Sequence, residues 1–427
     1  MAALQGRGDK ELNRRGRLSW ALYDWGNSAF ATSVMAGFFP VFFKEYWARG
    51  LDATDSTFWL GMGNSAASTL MIVLAPLIGA LADQGGNKKR MLVLFVFLGA
   101  LMTSSLFLVS AGLWPLALLC YALGIVGFSG SIVPYDALLV DMAEEPELDR
   151  VSALGYALGY LGGGLLFALS VVMVMKPELF GLAGPGQAVR ISFLMVGIWW
   201  AAFTVPLLLF VHERNPAPAR QGVIRGALRE LRDNLREVRR HRMAFLFLFA
   251  YWLYIDGVDT IVRMAVDYGL AIGFEPEDLL AALLVTQFVG FPSALFFGWL
   301  GARLGPKSGI MIALGVYTLV VLWAWVMKRQ WEFYGLAVMI GLVQGGVQSL
   351  SRSLYARLIP PDRAGVFFGI YNMLGKFAAV IGPLLVGLVG VATGSSRTGI
   401  LAILILFVGG AMVLHQVRVK ADVGGER

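Results

Sequence analysis

Ser19-Trp-Ala-Leu-Tyr-Asp-Trp-Gly-Asn-Ser-Ala-Phe30 opens an apolar run that continues to Phe43, and it sets Asp24, Asn27 and Ser28 inside that run. About 20 apolar residues are enough to cross a bilayer as a helix. A carboxylate at that depth costs several kcal/mol unless it faces a protein interior or a water-filled path. The run therefore reads as one helix of a larger bundle, and the remaining sequence has to supply the groups that answer Asp24.

Eleven further membrane-length runs follow, at about 57–82, 91–111, 114–138, 151–175, 191–211, 243–268, 278–302, 308–327, 332–356, 366–392 and 398–416. Hydrophobic residues make up 57% of the 427 positions and charged residues 15%, a balance too apolar for an ordinary soluble protein of this length. The fold class that follows is all-α: a polytopic membrane protein of twelve transmembrane helices in two six-helix bundles. The organisation reads as an N-terminal segment 1–18, a bundle 19–212, a basic linker 213–242, a second bundle 243–416 and a tail 417–427.

Lys and Arg crowd the N-terminal segment, the linker and every second loop, which places those segments and both termini in the cytoplasm. The net charge of +7 thus reads as topology and calls for no nucleic-acid partner. The basic start runs into a segment too long for a cleavable leader. Localisation in a bacterial inner membrane is the expectation. The single Cys120 allows no internal disulfide, and no metal-ligand cluster, cofactor motif or nucleophile elbow is present, so catalysis is not expected. Within the linker, Ile224, Leu228, Leu231, Leu235 and Val238 alternate with arginines at helical spacing. That pattern suits an amphipathic helix on an anionic leaflet and equally a solvated connector.

The two halves repeat each other weakly, as in many transporters. Tyr23-Asp24-Trp25-Gly26 in span 1 matches Tyr254-Ile-Asp256-Gly257 in span 7, which gives Asp24 a counterpart in Asp256. Asp149-Arg150 before span 5 matches Asp362-Arg363 before span 11. Between spans 2 and 3 stands Gly79-Ala-Leu-Ala-Asp83-Gln-Gly-Gly86-Asn-Lys88-Lys-Arg90. It resembles the loop signature of the major facilitator superfamily, with Gln84 and Asn87 in place of basic residues. The resemblance implies that Gly79, Asp83, Gly86, Lys88 and Arg90 help hold an inner gate. The equivalent loop after span 8 keeps Gly298, Gly305 and Lys307 but has Ala302 where the Asp would be, so any latch is asymmetric.

Charges within spans are the sharpest clue to function: Asp24, Asp136, Asp256, Asp259, Arg263, Arg352 and Lys376. All but Lys376 lie on spans 1, 4, 7 and 10, which line the central cavity in major facilitator architecture. Helical spacing puts Asp24, Asn27 and Ser28 on one face, Asp256, Asp259 and Arg263 on another, and Gln344, Gln348 and Arg352 on a third. At about 1.5 Å per residue, Asp256, Asp259, Gln287, Gln344, Asn372 and Lys376 fall near mid-membrane. Asp24, Asp136 and Arg352 fall nearer the cytoplasmic end. The expectation is a middle layer that binds substrate, with Asn27, Ser28, Arg263 and Gln348 also lining the cavity, and an inner layer that forms a gate or proton path. Four carboxylates against three cations leave one negative charge over, which suits proton coupling. Tyr156, Tyr160 and the Gly162-Gly-Gly164 run in span 5 read first as helix packing.

Leu22-Tyr-Asp-Trp-Gly-Asn-Ser-Ala-Phe30, Arg150 to Gly163, Asp256-Gly-Val-Asp-Thr260, Gly345-Gly-Val-Gln-Ser-Leu-Ser-Arg-Ser353 and Phe367-Phe-Gly-Ile-Tyr371 with Gly375-Lys-Phe377 are together similar to the autophagy-linked vacuolar amino-acid effluxers and their bacterial major facilitator relatives. The resemblance implies a secondary transporter working by alternating access, with amino-acid efflux as the nearest activity. Where that family tends to show Tyr-Asn-Ala-x-Leu-Pro in span 4, this chain has Tyr135-Asp136-Ala-Leu-Leu-Val140, so Asp136 departs from the pattern. A small polar solute is the expected partner, along with protons and the lipid bilayer. Two other readings remain: proton-driven export of amphipathic compounds, and a non-transporting membrane sensor or scaffold.

Overall fold

In the computed structural model the long apolar runs are helical over their described residues, the form in which a chain in lipid satisfies its own backbone hydrogen bonds. The structure describes residues 2–83, 87–214, 236, 238, 240–271, 276–327, 329–377, 381–394 and 396–419. Eleven helices among the described residues are long and apolar enough to cross a membrane. They are span 2 (Thr54–Asp83), span 3 (Lys88–Leu108), span 4 (Trp114–Met142), span 5 (Glu145–Met175), span 6 (Pro185–Phe210), span 7 (Arg242–Val262), span 8 (Asp278–Leu304), span 9 (Pro306–Val326), span 10 (Trp331–Leu358), span 11 (Pro361–Thr393) and span 12 (Thr398–His415). Span 1 is the twelfth. Its helix Ala2–Ala29 continues through π-helical Phe30–Phe38 and Phe43–Trp47, with a short α-helical stretch Phe39–Phe42 between them.

Spans 6 and 9 begin on Pro185 and Pro306, where the missing N–H costs the helix nothing. Gly305, at φ 83°, makes the tight turn from span 8 into span 9. Four internal prolines, Pro76, Pro134, Pro206 and Pro292, stand within helices and leave carbonyls for other partners.

Spans 1–6 and 7–12 form two halves built alike. Tyr23 Oη donates to Ser131 Oγ at 2.6 Å between spans 1 and 4, and Tyr254 and Ser351 hydroxyls meet at 2.6 Å between spans 7 and 10. Lys89 Nζ donates to Leu208 O and Val211 O at the end of span 6; Lys307 Nζ does the same to His415 O and Val417 O at the end of span 12. Each lysine thus neutralises the carbonyl-bearing end of a helix.

Span 1 lies in a channel of small residues on span 5. A Cβ on Gly159 would come within 2.5 Å of Ser28 Oγ, one on Gly162 within 2.5 Å of Trp25, and one on Gly163 within 3.1 Å of the Ser28 backbone. Gly164 faces Gln287 of span 8. The glycine run is therefore a packing surface, as its composition suggests. Between the halves, span 2 packs on span 11 and span 5 on spans 8 and 10. The closest approach is backbone on backbone, since a Cβ on Gly79 would fall 2.0 Å from Gly365 O. These contacts converge on the face that carries the span 6–span 7 connection, called the linker face below. Apart from Arg236 and Val238, the amphipathic stretch expected over 224–238 lies outside the described residues.

Candidate functional site

Arg352 sits one and a half turns from the end of span 10 with 2% of its surface exposed, and its guanidinium reaches into the other half. Nη1 lies 3.1 Å from Asp136 Oδ1 on span 4 and 3.6 Å from Asp24 Oδ2 on span 1. Nε donates to Ser152 Oγ and Nη2 to Ser152 O on span 5, both at 2.9 Å. The planar fork carries five donors, and spans 1, 4 and 5 supply acceptors for it at once, which a lysine ammonium could not match.

Each carboxylate in this cluster has further support. Asp24 Oδ2 accepts the Tyr135 hydroxyl at 2.7 Å, and Asp136 Oδ2 accepts Asn372 Nδ2 of span 11 at 3.0 Å. Aromatic faces close the rest of the shell: the guanidinium carbon lies 4.4 Å from the Tyr156 ring centre, 4.9 Å from Trp20 and 5.4 Å from Tyr135. With water excluded, removing one partner from such a buried pair costs about 3–5 kcal/mol.

The cluster includes all three residues expected of the inner layer, with two differences. Asn372, expected at mid-membrane, bonds to Asp136 instead. It lies eight residues beyond the start of helix Ala364–Phe377, and helical side chains lean back toward the helix N-terminus, here the linker face. Asp136, set apart in the sequence by the comparison with the family pattern, is the nearer of the two carboxylates to Arg352. Tyr135, Ser152, Tyr156 and Trp20 were not singled out for this role. For Ser152 and Tyr156 the one sequence signal is the helical face Ser152, Gly155, Tyr156 and Gly159, which reads equally as packing; Trp20 and Tyr135 read as ordinary apolar-span aromatics.

Asp256 is not the structural counterpart of Asp24. Tyr23 and Tyr254 make matching bonds to Ser131 and Ser351, so Asp24 corresponds to Ile255 and Asp256 falls one residue, about 100° of helix, further round. Asp256 Oδ1 accepts Gly382 N of span 11 at 3.0 Å, while Oδ2 is buried and meets no donor among the described residues. Above the Arg352 cluster, Gln287 Nε2 donates to Thr32 Oγ1 across the halves at 2.8 Å, and Tyr160 Oη donates to Gln348 Oε1 at 3.4 Å. Asp259, Gln344 and Lys376 are half-buried. Asn27 is 3% exposed, and its Nδ2 finds no partner among the described residues. Ser28 packs on Gly159 and Gly163. Gly86 and the Arg263 side chain lie outside the described residues.

In the span 2–span 3 loop, Asp83 accepts Gly365 N at 2.7 Å and Val366 N at 2.8 Å, capping span 11 from the opposite half. Lys88 works within its own half, with Nζ 2.8 Å from Asp141 Oδ2. Exposed Arg90 reaches Asn87 Oδ1 at 3.3 Å. A second crossing joins spans 5 and 10: Ser353 Oγ and Arg357 Nη2 donate to Asp149 at 2.6 and 2.7 Å. Among the described residues no group of three His, Cys, Asp or Glu could hold a metal ion.

A family model for vacuole effluxer Atg22-like proteins matches residues 60–423. The chain belongs to the Atg22-like family. Atg22-like relatives include the "uncharacterized MFS-type transporter YxiO" of Bacillus subtilis, 37% identical over 398 residues and matched over 93% of each chain. Autophagy-related protein 22-2 of Emericella nidulans is 28% identical over 326 residues, which is 66% of this chain and 53% of that longer protein. Among solved structures, the human organic anion transporter MFSD10 superposes with a TM-score of 0.72 at 16% identity, covering 94% of this chain and 99% of that one. The major facilitator transporter FucP, in the outward conformation, gives 0.68 at 12% identity over 95% and 98%. This Atg22-like chain is therefore an integral membrane transporter of the major facilitator superfamily, with twelve helices in two pseudo-symmetric bundles.

Proposed function

We propose that the protein is a secondary active transporter that moves a small polar solute, an amino acid being the favoured class, by alternating access with proton coupling. The observation that carries this is the Arg352 cluster, in which one buried cation from span 10 is gripped by spans 1, 4 and 5 and backed by Asn372 of span 11. Such a cluster holds the linker face shut, and the same geometry lets it part as a unit when the halves rock. The half-buried polar groups above it, Asp259, Gln344, Gln348 and Lys376, offer an acid, a base and amides to a zwitterion.

The family and the YxiO likeness support transport in general, and the name of the family supports efflux. Both termini are assigned to the cytoplasm of a bacterial cell, with the linker face inside. The test is flux of a labelled amino-acid panel in proteoliposomes, with and without an imposed proton gradient. Uptake of at least one amino acid that the gradient accelerates is expected. No flux of any member of the panel would overturn the substrate class.

A further inference from the structure

Residues 79–83 and 298–302, at the ends of spans 2 and 8, meet the starts of spans 11 and 5 at corresponding backbone positions. A Cβ on Gly79 would fall 2.0 Å from Gly365 O and 3.2 Å from Val366 Cα; one on Gly298 would fall 2.4 Å from Ala153 Cβ, one turn further along span 5, then 3.3 Å from Asp149 O and 3.6 Å from Arg150 Cα. Gly365 and Asp149 therefore hold equivalent places, each the second residue of its helix, Ala364–Phe377 and Leu148–Met175. Asp83 and Ala302 stand four residues after the two loop glycines and are equivalent in turn. This pairing differs by three residues from the Asp149-Arg150 and Asp362-Arg363 match seen in the sequence.

At the first interface the loop brings the carboxylate and the helix brings a glycine: a Cβ on Gly365 would lie 2.6 Å from Asp83 Oδ1. At the second the helix brings the carboxylate, Asp149, and the loop brings small residues. A Cβ on Gly301 would lie 3.3 Å from Asp149 Cβ and Cγ, tighter than an ordinary contact, and Ala302 follows it.

We propose that carboxylate and small residue have changed places between the two interfaces, and that Asp149 is the positioning residue that closes the span 5–span 10 side of the linker face. The assignment rests on the gate reading above. Asp149 is fully buried. It lies in the first turn of its own helix, where the macrodipole favours a negative charge. Its two oxygens take the Ser353 hydroxyl and the Arg357 guanidinium from the other half. Asp83, by contrast, holds backbone N–H groups of span 11. One latch is thus a cap and the other an ion pair, and Ala302 does not leave the second interface open.

The exchange predicts a reversal of sign. In the full-length protein carrying Cys120→Ala and nitroxides at exposed positions 145 and 303, Asp149→Gly raises the ratio of wide to narrow distances by roughly tenfold or more, as for any buried pair that loses a partner. Ala302→Asp alone raises it as well, because two carboxylates then meet. Ala302→Asp in the Asp149→Gly background recreates the Asp83 and Gly365 pairing and lowers the ratio toward wild type. Asp149→Asn, which keeps the side-chain shape, guards against simple misfolding and is expected to widen the distances too. If both Asp149 variants match wild type while Arg352→Gln widens the distances, the exchange is wrong and the gate stands. If Arg352→Gln also matches wild type, the gate reading itself fails. An Ala302→Asp that does not reverse the Asp149→Gly effect overturns the proposal directly.

Discussion

Arg352 Nη1 and Asp136 Oδ1 lie 3.1 Å apart across the two halves, and Asp136 turns its other oxygen to Asn372. That chain of contacts runs from span 10 through span 4 to span 11, so one side chain decides whether three helices stay together at the linker face. Arg352→Gln leaves Asp24 and Asp136 buried without a cation, a loss of about 3–5 kcal/mol from the closed state. Counterflow exchange is expected to fall more than tenfold. Arg352→Lys should recover part of it, since the charge survives but the fork does not.

The Tyr135 hydroxyl is a smaller lever on the same cluster. It gives Asp24 a hydrogen bond at 2.7 Å, and the ring stacks on Trp20 with centroids 4.5 Å apart. Tyr135→Phe keeps the stacking and removes only the bond, worth about 1–3 kcal/mol because the acceptor is a buried charge. Apparent affinity and rate should shift by about tenfold with no change in thermal stability beyond a few degrees. A variant with wild-type transport would remove Tyr135 from the gate.

Gly79 meets Gly365 so closely that a methyl group fits only if spans 2 and 11 move apart. Gly79→Ala should therefore trap the protein open at the linker face without unfolding it. A thiol reagent added from that side should label a cysteine placed at Asn372 faster in Gly79→Ala than in its absence. Equal labelling rates would show that the loop does not control access.

The spans were legible because hydropathy is a local signal, and Asp24, Asp136 and Arg352 stood out because a charge in an apolar helix is one too. Which groups meet was not. Asp24 and Asp256 look alike in sequence, yet a one-residue offset relative to Tyr23 and Tyr254 turns them to different neighbours. Asp136 looked like an exception to a family pattern and proves to be the closest answer to Arg352. Asp149 reads in sequence only as a residue just before span 5, and its burial against Arg357 depends on Gly301 of a helix some 150 residues away, which no local pattern encodes.

Asp256 is where the proton reading can be tested most sharply. Oδ1 is committed to Gly382 N of span 11, while Oδ2 is buried, meets no donor among the described residues and stands one turn from Asp259. A carboxylate with one oxygen anchored and the other open can carry a proton between the two sides as the halves rock, and an amide of the same shape cannot. Asp256→Asn should keep the Gly382 bond through its carbonyl oxygen, so the fold and substrate exchange persist. The response of net flux to an imposed pH gradient should vanish. Net transport and counterflow are measured in the same proteoliposomes, so a general loss of activity is told apart from a loss of coupling. If the variant exchanges substrate and still responds to the gradient, the proton does not ride on Asp256.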